Sequence, residues 1–223
     1  MTRRTLLGIP IRDTSEANRY WEMIQEAAAA IIAQSFPDWE LIIKDGGKQP
    51  VGDLLPQDAR IRYEYAPERH YSVNLNQAFD EAAGEIVNFQ GDDDWMRPAA
   101  LQQVSDSIGE AMWLYGQIRF SRSGLPMGIP WDFAAQQRNN IVPSPATFWR
   151  REVMAEIGLF DTGLLAADWD YALRLGARWT PVFLPHVLVD YRQHPGQATA
   201  MHSAQIARDA AEIHARAARG YYA

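Results

Sequence analysis

The chain has 223 residues, no cysteine and a formal net charge of −7, with 47% apolar and 22% charged residues. That balance suits one globular domain with a filled core. It excludes disulfides and thiolate metal sites, and it lacks the basic footprint of a general nucleic-acid binder. The longest apolar stretch, Ala27 to Ala33, is far short of the roughly 20 residues that cross a bilayer. Arg3-Arg4 is followed by only a short, proline-interrupted apolar run, which does not make an export signal. A soluble, cytoplasmic protein with no transmembrane segment is therefore expected.

Thr5 to Ile11 reads as a buried strand. Asp13-Thr14-Ser15 offers capping oxygens for a helix whose Trp21, Ile24, Ala28 and Ile31 share one face. Pro37 closes that helix, and Glu40 to Ile43 forms a second strand that runs into Asp45-Gly46-Gly47, a sharp turn. Ile61 to Tyr65 is a third strand. The next helix carries Leu75, Ala78, Phe79 and Ala82, with Gly84 placed as its stop. Strand four, Glu85 to Gln90, delivers the chain into Gly91-Asp92-Asp93-Asp94. Pro98 suits the first turn of a helix bearing Leu101, Val104 and Ile108.

Alternation of strand and helix implies an α/β fold with a mostly parallel sheet covered on both faces. Ligands of such sheets sit beyond the carboxyl ends of the strands, where Asp45 and the aspartate triplet both lie. The second half is less regular. Met112 to Phe120 reads as a strand, Ser121 to Asn140 as a loop, and Pro145 to Arg150 as another short strand. A helix places Trp169, Ala172 and Leu173 on one side and stops at Gly176. Val182 to Tyr191 supplies one or two last strands, and Ala204 to Ala218 a final helix. With no repeat or linker, residues 1–223 form a single domain.

Three consecutive aspartates after a strand repel one another unless a cation or hydrogen-bond donors compensate them. A hard divalent ion takes such oxygens together with substrate phosphates; a solvated acidic turn is the other reading. Asp45 can accept hydrogen bonds from a nucleobase or ribose, or simply shape its turn. Asp170 stands four residues before Arg174, the spacing of a helix-surface ion pair. Asp168 has no such partner and is the better general-base candidate. None of the five histidines pairs at metal-ligand spacing. His194 is either a ligand for a metal or phosphate, or a polar surface residue.

Five segments, in order and over nearly the whole chain, resemble family 2 glycosyltransferases. They are Phe36 to Gly47, Asn76 to Phe89, Gly91 to Asp94, Gly158 to Asp161 with Ala166 to Arg174, and Tyr191 to Thr199. The resemblance implies a GT-A fold, with residues 1–97 as the nucleotide-sugar-binding half and 98–223 as the acceptor and catalytic-base half. It implies inverting transfer from a nucleotide sugar, UDP-linked by preference, to an acceptor hydroxyl with Mn²⁺ or Mg²⁺ as cofactor. Asp45 would bind the base, with Pro10, Ile11 and Asp13 lining the same pocket. Asn76 belongs with these donor contacts, and Asp92 would reach the ribose. Asp93 would hold the metal with His194 as a second ligand, whereas a literal Asp-x-Asp reading pairs Asp92 with Asp94. Asp168 would take the acceptor proton.

The sequence departs from the family pattern at Gly46 and Gly91, where Asp is usual, and at Ala167, where Glu usually precedes the base. A non-catalytic nucleotide-sugar or glycan-binding module is the alternative. A sugar-phosphate nucleotidyltransferase is a further one, although Gly8 to Asp13 lacks the Gly-rich loop such enzymes carry. The acceptor is open: a glycan, lipid-linked sugar, protein or modified base, with the protein peripheral to a membrane if the acceptor is lipid-linked. Trp131 and Phe133 are candidates to stack on a sugar ring, or to serve as core or lid residues.

Overall fold

The computed structural model describes residues 5–11, 17–67 and 70–223, and side chains from residue 22 onward within those ranges. Asp13 lies outside the described residues. In chain order the elements are β1 (Thr5–Ile11), α1 (Ala17–Ile32), β2 (Trp39–Asp45), β3 (Ile61–Tyr65), α2 (Tyr71–Asp80), β4 (Ile86–Phe89), β5 (Trp95–Met96) and α3 (Ala100–Ser107). They continue as β6 (Trp113–Phe120), β7 (Pro126–Met127), α4 (Phe133–Arg138), β8 (Thr147–Arg150), α5 (Val153–Ile157), α6 (Ala167–Gly176), β9 (Val182–Tyr191), α7 (Ala198–Met201) and α8 (Ser203–Ala218).

The strands form one sheet in the order β3-β2-β1-β4-β8-β6-β9-β5, with β7 on β6. Its first half, β3-β2-β1-β4, is parallel, as strand–helix alternation dictates. Beyond β4 the sheet is mixed: β8 runs antiparallel to β4 and β6, whereas β9 runs parallel to β6. Every residue of β2 is buried, the mark of a strand covered on both faces. Its alternation splits two cores. Trp39, Leu41 and Ile43 join Ile24, Ala28 and Ile31 of α1 and Leu101 and Val104 of α3. Ile42 faces the other side, with Leu75 and Phe79 of α2, Leu173 of α6 and Ile213 of α8. Each large apolar side chain so buried contributes roughly 1.5–3 kcal/mol.

The polar members of β2 survive burial because they are paired. The Glu40 carboxylate accepts from the amides of Ala83 and Gly84, both at 2.7 Å. Lys44 is held between Glu64 and Glu81. This corrects the expected stop at Gly84: α2 ends at Asp80, and Glu40 gathers the chain that follows.

Two further differences stand out, and the one or two strands expected over Val182 to Tyr191 resolve to one. The segment from Ser121 to Asn140 contains β7 and α4, the latter capped by Asp132 accepting from the Ala135 amide. Val182 to Tyr191 is one strand, with register shifts against β6. Gly176 is the last residue inside α6 rather than a terminator. A Cβ there would stand 2.2 Å from Trp131 Cζ2, so the position is glycine because an indole lies against it. Trp131 in turn packs edge-on to Trp113 at 5.0 Å, half-buried against the core. Among the described residues, no helix is long and apolar enough to cross a membrane.

Candidate active site

Asp45 ends β2, and the parallel register sets Ile11 of β1 beside it and Pro10 beside Lys44. The Asp45 carboxylate is fully buried. Its oxygens accept from the Gly47 amide at 2.8 Å, the Val51 amide at 3.1 Å and the Tyr63 hydroxyl at 2.6 Å. Burial, then the hydrogen bond to Asp45 and the charge of that carboxylate, pushes the Tyr63 hydroxyl far above the ordinary phenol range. Asp45 therefore builds the turn from Gly46 to Val51 at the carboxyl edge of the sheet. Asn76 is similarly engaged. Its Nδ2 donates to the Phe160 carbonyl at 2.9 Å and its Oδ1 accepts from the Phe160 amide at 3.0 Å. Where a donor contact was expected, this amide ties α2 to the segment that leads into α6.

The aspartate triplet follows β4, and Asp92, Asp93 and Asp94 are all buried. Gly91 opens their turn, and a Cβ there would lie 2.8 Å from Asp94 Oδ2 and 2.9 Å from Asp93 Oδ1. Glycine at this position thus gives two carboxylates the space a side chain would fill. Immediately afterwards, β5 pairs antiparallel with β9, Trp95 opposite Asp190 and Met96 opposite Val189. That short pairing carries the turn to the residues after β9. The Arg192 amide donates to Asp94 Oδ1 at 2.9 Å, and Arg192 Nε donates to the Asp93 carbonyl at 2.7 Å. The guanidinium covers the Trp95 ring at 3.6 Å and reaches Glu26 of α1. His194 Nε2 lies 2.9 Å from Asp93 Oδ2. His194 thus meets Asp93, while Asp94 turns inward to hold the Arg192 backbone. Among the described residues, no group of three or more His, Cys, Asp or Glu side chains converges as a metal site.

Asp168 stands in the first turn of α6. Its Oδ2 accepts from Ser144 Oγ and, at 3.3 Å, from Asn140 Nδ2. Burial raises its carboxyl above the ordinary aspartate range, while the bonds from Ser144, the Trp169 amide and Asn140 act against that rise. A small cavity beneath it is lined by Phe89, Val142, Ser144, Trp149, Asp168 and Tyr171. Phe89 is the last residue of β4, so the cavity runs between Asp168 and the strand that delivers the aspartate triplet. Ala167, at the place of the usual Glu, is wholly buried in the core. Asp170 corrects the expected surface pair. It is 1% exposed, and it binds Arg174 at 2.8 Å, Arg216 at 3.1 Å and the Tyr222 hydroxyl at 2.8 Å. A buried carboxylate of this kind needs every one of those partners.

The model described as glycosyl transferase family 2 matches residues 17–127, about half of the chain. The chain belongs to that family. The matched stretch takes in Asp45 and the aspartate triplet, and stops short of Asp168 and His194. Over 95 residues the chain is 30% identical to the GalNAc(5)-diNAcBac-PP-undecaprenol beta-1,3-glucosyltransferase of Campylobacter jejuni, covering 40% of this chain and 31% of that enzyme. Over 114 residues it is 28% identical to the O-antigen biosynthesis protein RfbC of Myxococcus xanthus, covering 47% of this chain and 8% of that protein. It spans less than a third of either relative.

Among solved structures, S. aureus TarS 1-349 in complex with UDP-GlcNAc superposes with a TM-score of 0.71 at 15% identity, over 87% of this chain and 60% of that one. The mannosyltransferase PcManGT of Pyrobaculum calidifontis, in complex with GDP-Man and Mn²⁺, gives 0.66 at 16% identity, over 97% and 64%. The fold of this family 2 member is the GT-A fold.

Sequence reasoning did not find Tyr63, Ser144, Asn140 or Arg192 as supports of the three acidic positions. Only Arg192 carried a signal, because it sits in the Tyr-Arg-x-His segment. The others act from elements remote in sequence.

Proposed function

We propose that this chain transfers a sugar from a nucleoside-diphosphate sugar to an acceptor hydroxyl with inversion, and that Asp168 is the general base. The observation that carries the proposal is the small cavity that joins the Asp168 carboxylate to Phe89, at the end of the strand that leads to Asp93, the partner of His194. The proposed base thus faces a cavity walled by the last residue of the strand that runs into the acidic turn. Asp168 accepts the acceptor's proton as the acceptor oxygen bonds to the anomeric carbon, and the bond to the diphosphate breaks on the opposite face. Ser144 and Asn140 orient the carboxylate for that task, and general-base help typically contributes about 10²–10⁴-fold in rate.

Asp93 and His194 fit a divalent cation, since one carboxylate and one imidazole leave positions for diphosphate oxygens. Bound there, Mn²⁺ or Mg²⁺ supplies counter-charge for the leaving diphosphate. PcManGT, solved with GDP-Man and Mn²⁺, supports that reading. The turn that Asp45 builds, beside Pro10 and Ile11 of β1, forms the base pocket, and Asp92 reaches the ribose. UDP is the favoured nucleotide, because the TarS structure holds UDP-GlcNAc.

The decisive assay incubates the protein with UDP-linked and GDP-linked sugars and Mn²⁺, and identifies the phosphate product. Free nucleoside diphosphate, lost in Asp168→Asn, is expected. Pyrophosphate would indicate nucleotidyl chemistry instead. No turnover together with retained nucleotide binding would indicate a non-catalytic module.

A further inference from the structure

The helix that carries Asp168 has no cap of its own: its N-cap position is Ala166, which offers no side-chain oxygen. The amides of Leu165 and Ala166 nevertheless have an acceptor. Asp209 of α8 takes both on Oδ2, at 2.7 and 3.1 Å, and Gln205 fixes its Oδ1 at 2.7 Å. Asp209 is only 3% exposed, so the arrangement is built and not incidental.

The same face of α8 grips the segment further along. Asp209, Ile213 and Arg216 recur at helical spacing on one stripe. Ile213 is fully buried in the core, and Arg216 bonds Asp161 at 2.9 Å and Asp170 at 3.1 Å. One helix therefore holds the chain before Asp168, at Asp161, Leu165 and Ala166, and after it, at Asp170.

We propose that Asp209 is a positioning residue for the base: from the last helix it anchors the start of α6 and fixes where the Asp168 carboxylate stands. This rests on the reading of Asp168 as the base. A side-chain oxygen acceptor is required because two adjacent N–H groups share one oxygen, and Asn retains such an oxygen whereas Ala does not.

The test compares wild type, Asp209→Ala, Asp209→Asn and Asp168→Asn in two measurements. Hydrogen exchange at the Leu165 and Ala166 amides should accelerate at least about tenfold in D209A and stay within about threefold of wild type in D209N. Unchanged exchange in D209A overturns the anchoring. Turnover, read as UDP released from UDP-N-acetylglucosamine with Mn²⁺, should fall on the order of tenfold to a hundredfold in D209A with donor KM unchanged, and recover in D209N. A D209A protein with exposed amides and wild-type turnover overturns the positioning role while Asp168 stays the base. A D168N protein that keeps its turnover overturns the base reading instead, and exchange alone then decides whether Asp209 anchors the helix. Should D209A not fold, a D209N protein with wild-type exchange and turnover supports the shared acceptor, and one with lost protection contradicts it.

Discussion

His194 Nε2 lies 2.9 Å from Asp93 Oδ2, although 101 residues separate them in the chain. The two-residue strand Trp95–Met96, paired with β9, closes that distance. His194→Ala should leave the fold intact by circular dichroism and weaken manganese-dependent nucleotide binding by at least about tenfold, as calorimetry would show. Equal affinity in wild type and variant would make His194 a mere hydrogen-bond partner of Asp93.

Arg192 serves the same turn through its planar fork, with the Asp93 carbonyl, Glu26 and the Trp95 face all on one guanidinium. Lysine cannot reproduce that geometry. Arg192→Lys is therefore expected to cost about 1.5–3 kcal/mol in denaturant unfolding and to weaken nucleotide binding alongside it.

Asp168 links activity to pH and stability. Its carboxyl is raised by burial, so the folded protein holds that proton more tightly than the unfolded chain does. The stability it contributes is fully present below the ordinary aspartate range and is lost as pH rises through the raised value. Asp168→Asn should then melt higher than wild type at pH 8 and show a smaller difference at pH 4. Turnover should rise with pH through the same window in wild type and be about 10²–10⁴-fold lower in the variant. Loss of turnover together with a lower melting temperature at pH 8 would point to misfolding rather than to a missing base.

Gly176→Ala tests the packing of Trp131. Its Cβ would meet the Trp131 indole at 2.2 Å, so a loss of about 1–3 kcal/mol is expected in thermal or denaturant unfolding. Nucleotide binding should be unaffected, since Trp131 packs on Trp113 and Phe133 against the core.

Local signals in the sequence reached as far as local physics does. The strand over Glu40 to Ile43, the helical spacing of Leu75, Ala78 and Phe79, and the acidic turn after β4 all follow from periodicity and turn chemistry. What escaped depends on tertiary contact. Gly84 looked like a helix stop, but Glu40 from another element takes its amide. Gly176 looked like a terminator, but an indole 45 residues earlier in the chain requires it (176 − 131 = 45). Asp170 had the spacing of a surface pair with Arg174, and only the return of α8 and Tyr222 reveals that it is buried. At the candidate site, the aspartate triplet stands out in the sequence because clustered charge is costly. The supports Tyr63, Ser144, Asn140 and Asp209 do not, because an uncharged hydroxyl or amide and a helix-surface aspartate are common anywhere.

Calorimetric titration of UDP, GDP and dTDP, each with and without Mn²⁺, on wild type and Asp93→Ala is the most direct test of a metal-assisted nucleotide-sugar site. Manganese-dependent binding of one nucleotide by wild type, lost in the variant, is expected. Binding that ignores manganese and survives Asp93→Ala, or no binding of any nucleotide, would contradict it.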